Sequence, residues 1–211
     1  MKKLSIIIPC YNESKTIREL VKQVEDAPTP GWEKEIIIVD DCSRDGTRDI
    51  LKGYESRMKV IYQEKNGGKG TAVQRGLSEA TGEYALIQDA DLEYNPAEIK
   101  DLLGPVNNGS ADVVYGSRNL HPVKRSGFFI SRFGVWLITK LINILYRLKL
   151  TDVWTCYKLF PREAGPDFTG GHFESELLFT AALARRGYRF TEVAISHNPR
   201  SIEEGKKIRY R

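Results

Sequence analysis

The chain has 211 residues, 41% hydrophobic and 28% charged, with a formal net charge of +4. That length and balance fit a soluble globular protein of one domain, or one domain plus a small subdomain, with a sizeable core. No stretch of about 18 residues is free of charge, which excludes a transmembrane helix, and Met1-Lys2-Lys3 runs straight into a strand-like segment with no signal peptide. The three cysteines, Cys10, Cys42 and Cys156, form neither a CxxC pair nor a zinc spacing and read as free thiols in a reducing cytoplasm.

The elements follow in order. Leu4 to Pro9 reads as a buried strand, followed by a Tyr11-Asn12-Glu13-Ser14 turn with Asn12 or Ser14 as N-cap. Ile17, Leu20, Val21 and Val24 recur at helical spacing. Pro28, Pro30 and Gly31 stop that helix. Glu35 to Val39 is a second buried strand ending at Asp40-Asp41. A turn, Ser43 to Gly46, leads into a helix from Thr47. Lys59 to Tyr62 is a third strand, and Asn66-Gly67-Gly68-Lys69-Gly70 opens a helix running to Ala80. Tyr84 to Ile87 is a fourth strand. Strands alternating with crossover helices predict an α/β domain with a mainly parallel, covered sheet. Ligands of such sheets sit at the carboxyl ends of the strands.

The second half is less regular. It predicts a helix over Pro96 to Leu103, a strand over Asp112 to Tyr115 and a long apolar-rich helix over Phe128 to Leu148. A strand over Trp154 to Phe160, a helix over Glu174 to Arg185 and a closing strand over Tyr188 to Ile195 follow. Arg132, Thr139, Lys140, Asn143 and Arg147 share roughly a quarter to a third of the long helix's circumference. Between Asp112 and Asp152 there is no acidic residue, while seven basic residues fall in that interval. One half thus looks built for a cation and the other for an anionic surface or ligand.

The richest motif is Gln88-Asp89-Ala90-Asp91-Leu92-Glu93. In an extended segment residues two apart point the same way, so Asp89, Asp91 and Glu93 are expected to converge on one small volume. Crowded carboxylates need a cation, and hard oxygen ligands suit Mg²⁺ or Mn²⁺ shared with a diphosphate. A solvated acidic turn is the plainer alternative. Asp40-Asp41 reads alone as a solvated turn, but it shares its edge with Tyr11, whose ring can stack on a base. The Gly67 to Thr71 run lacks P-loop spacing. The three histidines fit no metal site or triad, and aromatic-interleaved RNA motifs are absent, so no nucleic acid is expected.

The ordered set Pro9-Cys10-Tyr11-Asn12-Glu13, Val39 to Thr47, Asn66 to Gly70, Asp89-Ala90-Asp91 and Gly116-Ser117-Arg118 resembles family 2 glycosyltransferases. Within them it looks most like the polyprenyl-phosphate sugar synthases. Thr151 to Lys158 and Ile195 to Ser201 resemble later motifs of that group. The resemblance spans nearly the whole chain. It implies a GT-A fold over residues 1–211, with a nucleotide-sugar half at 1–105 and an acceptor and membrane-interface half at 106–211.

By position, the resemblance implies that Pro9, Tyr11, Glu13, Val39 and Asp41 hold the nucleoside. It makes Asp89, Ala90 and Asp91 the DxD element, with Lys69 also on the donor side. Asp91 and Glu93 would contact the metal, Mg²⁺ or Mn²⁺; many relatives have Gln where this chain has Glu93. Arg118, Arg200 and Lys206 would face the phosphates, and Arg132 would meet the lipid phosphate. Asp89, Asp91, Arg118 and Arg132 are the expected catalytic set. The implied reaction moves a hexose from a GDP-mannose or UDP-glucose type donor to a dolichyl or undecaprenyl phosphate, with inversion. A phosphate acceptor is already ionised near neutral pH, so it needs no strong base. The broad apolar arc of the long helix would lie in the membrane interface, placing the protein peripherally on the cytoplasmic face. Many relatives carry C-terminal membrane helices, and this sequence has none, which reads as a naturally short form or a truncation; a separate membrane-anchoring protein is among the expected partners. One alternative is transfer to a saccharide hydroxyl, with Asp152, Glu174 or Glu176 as base. Another is a non-catalytic nucleotide-binding scaffold on a membrane.

Overall fold

The structure is a computed structural model that describes residues 1–120, 129–171 and 174–200, without the side chains of 129–133 and 174. The first half alternates β1 (Lys2–Cys10), α1 (Ile17–Asp26), β2 (Trp32–Asp40), α2 (Thr47–Lys52), β3 (Lys59–Tyr62), α3 (Lys69–Ser78) and β4 (Tyr84–Ile87). The second half adds α4 (Ile99–Asn107), β5 (Val113–Ser117), α5 (Phe129–Tyr146), β6 (Lys158–Pro161), α6 (Glu174–Arg185) and β7 (Phe190–Ala194). All seven strands form one sheet in the order β3-β2-β1-β4-β6-β5-β7. Only the pairings made by β6 are antiparallel; the others are parallel. The expected mainly parallel α/β sheet is therefore present.

The central strands are apolar on both faces, as a covered parallel sheet requires. Ile6 and Ile8 of β1 pack with Ile17, Leu20 and Val24 of α1 and Leu102 of α4. Ile7, which points the opposite way, packs with Val73 and Leu77 of α3 and, farther along that face, Phe179 and Leu183 of α6. At the start of α3 the backbone comes close to the later chain: Gly70 N–H donates to the Gly171 carbonyl at 3.1 Å. A β-carbon at Gly70 would run into that carbonyl.

Three expectations differ from what forms. The N-terminus of α1 is at Thr16, not at Asn12 or Ser14. Those two residues instead bond to the loop after β2. β6 begins at Lys158 rather than Trp154, because the preceding stretch is a loop with its own bonds: Thr155 N–H to the Asp152 carbonyl at 3.3 Å and Tyr157 N–H to Thr155 Oγ1 at 3.1 Å. The polar stripe of α5 divides. Thr139 is buried, and Asn143 holds both backbone groups of Leu150, donating to its carbonyl at 2.7 Å and accepting its N–H at 2.9 Å. Lys140 and Arg147 are exposed. So are Trp136, Leu137, Leu141, Ile144 and Leu145, five large apolar side chains on one helix. No helix of the described residues is long and apolar enough to cross a membrane.

Candidate active site

The carboxyl edge of the sheet is built from loops that brace one another. Asn12 N–H donates to Ser43 Oγ at 2.9 Å, and Asn12 Oδ1 accepts Arg44 N–H at 2.8 Å. Glu13 N–H reaches Thr47 Oγ1 at 2.9 Å, and Ser14 N–H reaches Asp45 Oδ2 at 3.0 Å. The loops after β1, β2 and β4 each hold one non-glycine residue at positive φ: Asn12 at 50°, Cys42 at 63° and Leu92 at 60°. Left-handed backbone is costly for such residues and clusters at functional sites, where surrounding bonds over-determine it.

Pro9 and Val39 lie opposite each other in the β1–β2 register and are buried, so they form the floor of this edge. Tyr11 is half-buried above them. Asp41 accepts the N–H groups of Gly67 and Gly68, both at 2.8 Å, and Gln63 Nε2 at 3.0 Å. It thereby ties the glycine-rich loop to β2. Burial pushes its carboxyl above the ordinary value. Asp40 is fully buried and pairs with Arg48 Nε at 2.6 Å. It faces inward, as the shared edge suggests, and serves as a structural anchor.

The acidic motif folds as a turn, not as a continued strand. β4 stops at Ile87, and Leu92 breaks the alternation. The three carboxylates do not close on a single point: Asp89 turns to Lys69, while Asp91 and Glu93 share Arg200. Asp89 pairs with Lys69 Nζ at 2.5 Å. Asp91 meets Arg200 Nη2 at 3.1 Å. Glu93 meets His197 Nε2 at 3.1 Å and accepts the Arg200 backbone N–H at 3.1 Å. Arg200 also binds Glu13 through both terminal nitrogens, at 2.9 and 3.1 Å. Its Nε is buried without a hydrogen-bond partner, 3.9 Å from Glu93. Thr16 closes the set: its hydroxyl, with one proton to give, lies 2.8 Å from the Glu13 carboxylate and 2.9 Å from the Ala90 carbonyl.

No group of three or more metal-ligating side chains is assembled among the described residues. Charge is nevertheless in surplus. Burial, then the Asp89 and Glu93 carboxylates, push Asp91 up to about 6 despite Arg200. At Glu93 burial works against ionisation, but the bonds from His197 and the Arg200 N–H keep the carboxyl below its ordinary value.

On the other side of β4, Arg118 follows β5 and lies against Asp152. Its Nε and Nη2 donate to the two carboxylate oxygens at 2.7 and 2.8 Å, and its N–H adds a third bond at 3.2 Å. Burial would raise Asp152, but these bonds hold it below the usual carboxylate range. Glu176 is likewise locked to the fully buried Lys158 at 2.5 Å. Two of the three carboxylates considered as bases are thus ion-pair partners. The side chain of Glu174, that of Arg132 and all of Lys206 lie outside the described residues.

The sequence model of the family described as glycosyl transferase family 2 matches residues 5–165. The chain belongs to that family. A dolichol-phosphate mannosyltransferase of Pyrococcus furiosus is 40% identical over 118 residues, 55% of this chain but 33% of that protein. The chain thus aligns with about a third of that relative's length. Among solved structures, Staphylococcus aureus TarS 1-349 in complex with UDP superposes with a TM-score of 0.65 at 25% identity, covering 96% of this chain and 62% of that one. The glucosyl-3-phosphoglycerate synthase of Mycobacterium tuberculosis, solved with Mn²⁺, UDP and phosphoglyceric acid, has a TM-score of 0.72 at 20% identity, covering 96% of this chain and 73% of that one. These likenesses show the GT-A fold.

The loop brace generates a pH prediction. Burial opposes ionisation of Asp45, but bonds from Thr47 and Ser14 bring its carboxyl down to about 2. A depressed folded value contributes stability above the unfolded value near 3.9, and that stability is lost as pH falls toward the folded one. Asp45→Asn should therefore unfold at lower urea than wild type at pH 7. The gap should narrow between about pH 4 and pH 2. Urea titrations at both ends of that window check it.

Proposed function

We propose that the chain transfers a hexose from a nucleotide sugar, of GDP-mannose or UDP-glucose type, to a polyprenyl phosphate at a membrane surface. The donor half is supported by the braced loops around Tyr11 and Asp41 and by the UDP found in the TarS structure. Asp91 and Glu93 offer hard oxygen donors, and the crowding of carboxylates that helps push Asp91 up fits a divalent ion. Two carboxylates are what Mg²⁺ usually takes when substrate phosphates complete its shell. Asp91 and Glu93 would hold it, and when bound it would neutralise charge on the leaving diphosphate.

This chain's own cations would act on the same charge. Arg118 and Arg200, with Lys206, would stabilise the diphosphate as the bond from the anomeric carbon to its oxygen breaks. Asp89 would keep Lys69 at the same edge, and Ala90 would supply the carbonyl that anchors Thr16. The new bond forms from a phosphate oxygen of the acceptor, on the opposite face of the sugar, so the anomeric centre inverts.

The observation that carries the acceptor assignment is the state of the candidate bases. Asp152 and Glu176, the two candidates whose side chains are described, are both consumed by buried ion pairs. A saccharide hydroxyl needs a base to take its proton, whereas a phosphate monoester arrives ionised. The exposed apolar face of α5 supports the same acceptor. A protein at a lipid interface gains by burying Trp136, Leu137, Leu141, Ile144 and Leu145 there, while Lys140, Arg147 and Lys149 meet anionic headgroups. Arg132 would receive the lipid phosphate through its planar fork. The protein would then be peripheral on the cytoplasmic face.

Turnover of labelled GDP-mannose and UDP-glucose, with and without polyprenyl phosphate, tests the reaction. One donor should give a lipid-extractable product that requires Mg²⁺ or Mn²⁺. Asp91→Ala should lower the rate by about a hundredfold or more, and Glu93→Gln should stay within about tenfold of wild type. Undiminished rates in excess chelator would contradict the metal assignment.

Co-sedimentation with anionic liposomes tests the membrane face. Wild type should bind at low salt, weakening as exposed charges are screened. The triple variant Trp136→Ser, Leu141→Ser, Ile144→Ser should lose the part of binding that survives high salt. Equal binding by both proteins would remove α5 from the interface.

A further inference from the structure

Asp152, which holds Arg118, is itself held by a residue that no motif marks. Glu192 lies on β7, paired with Tyr115 of β5, two residues before the strand's end at Ser117. Its Oε2 accepts both the Thr151 N–H and the Thr151 hydroxyl at 2.8 Å, and its Oε1 accepts the Asp152 N–H at 2.9 Å. The Thr151 hydroxyl has one proton, which goes to Glu192. The Ser117 hydroxyl, 2.6 Å away, must then donate to Thr151, and Ser117 Oγ in turn accepts Asn119 N–H at 3.1 Å. Asn119 Nδ2 closes the loop on the Thr151 carbonyl at 2.5 Å. This directional chain ties the turn carrying Asp152 to the segment carrying Arg118.

We propose that Glu192 is a positioning residue that fixes the Thr151–Asp152 turn, so that Asp152 takes the Nε and Nη2 of Arg118 and directs its Nη1 edge at the donor's terminal phosphate. The inference rests on the diphosphate role assigned to Arg118 above. Its physical content is an acceptor requirement. An ionised carboxylate accepts on both oxygens, which matches the three donors that the turn aims at it. Glutamine has nearly the same shape, but its amide would put N–H groups against the N–H of Thr151 or of Asp152. The turn would move to relieve that conflict, and the aim of Arg118 would move with it. Positioning errors of this kind are felt at the phosphate rather than at the base or ribose.

Calorimetric titration with UDP and GDP, and with UMP and GMP, in the presence of Mn²⁺ tests it. Glu192→Gln should weaken the diphosphate that binds by about fivefold or more, while the matching monophosphate changes by less than about twofold. Asp152→Asn should weaken diphosphate binding too, and the double variant should lose far less than the product of the two. Thr151→Val, which removes only the hydroxyl link, should shift diphosphate affinity in the same direction by less. It carries the test if Glu192→Gln does not fold. Arg118→Lys separates the two levels. If it weakens diphosphate binding and neither Glu192→Gln nor Thr151→Val does, the positioning role is wrong. If it leaves diphosphate affinity at wild type, the phosphate role of Arg118 fails and takes the positioning role with it. Equal losses of monophosphate and diphosphate in Glu192→Gln would also overturn the inference, since general loosening of the fold predicts that.

Discussion

The arrangement of the candidate site depends on one guanidinium among three carboxylates. Arg200 bonds to Glu13 in the loop after β1 and to Asp91 in the loop after β4, and its own backbone N–H reaches Glu93. Residues more than a hundred positions apart are thereby drawn to one edge. The segment that follows β7 is pinned there as well, since Asn198 N–H donates to the Glu93 carbonyl at 3.0 Å. A single guanidinium serves several carboxylates, and burial, then the neighbouring Asp89 and Glu93, keep Asp91 hard to ionise in spite of it. A site with that imbalance has room for more positive charge, and a cation that brings phosphate oxygens with it satisfies both sides.

The second half of the sheet handles charge in the opposite way. Arg118 and Asp152 form a closed pair, as do Lys158 and Glu176. Lys158 also donates to the carbonyls of Val153 and Thr155 and lies over the ring of Tyr115. Removing one member of a buried pair leaves an uncompensated charge, which costs about 3–5 kcal/mol. These pairs are therefore fixed furniture, and the loop between them cannot easily free a carboxylate for proton transfer. The division supports a chemistry in which neutralising phosphate matters more than abstracting a proton. The outer face of α5 extends the same logic, because its apolar side chains face outward while Thr139 and Asn143 face the body.

Much of the first half was legible because its signals are local. Alternating apolar runs and glycine turns place β1 to β4 and α1 to α3 within a few residues of where they form. The acidic strand ends, Asp41 and Asp89 to Glu93, fall on the expected edge. The pairings were not legible, because each partner is distant in sequence. Nothing near Asp89 points to Lys69, nor near Glu13 to Arg200. The strand-period argument for Asp89, Asp91 and Glu93 failed because Leu92 takes a left-handed backbone that the local sequence does not announce. Asp152 looked like a possible base for the same reason. A lone carboxylate in a sequence does not show that an arginine 34 positions earlier already holds it. Asp40-Asp41 taken alone reads as a solvated turn, and only the shared edge argues for inward-facing carboxylates; the Arg48 and Ser43 N–H partners of the buried Asp40 have no local signal. A residue such as Glu192 has no local signal at all, since its partners are backbone N–H groups on a different loop.

In the proposed function, the carboxylate edge around Asp91 receives a metal-bound nucleoside diphosphate. A crystal structure with Mn²⁺ and a nucleoside diphosphate, phased at the manganese edge, tests it most directly. The account predicts an anomalous peak within coordination distance of the Asp91 carboxylate and of the diphosphate, with the Arg200 guanidinium turned from Asp91 toward the phosphates. A bound diphosphate with its manganese away from Asp91, and with the Arg200 contacts to Glu13 and Asp91 intact, would contradict it.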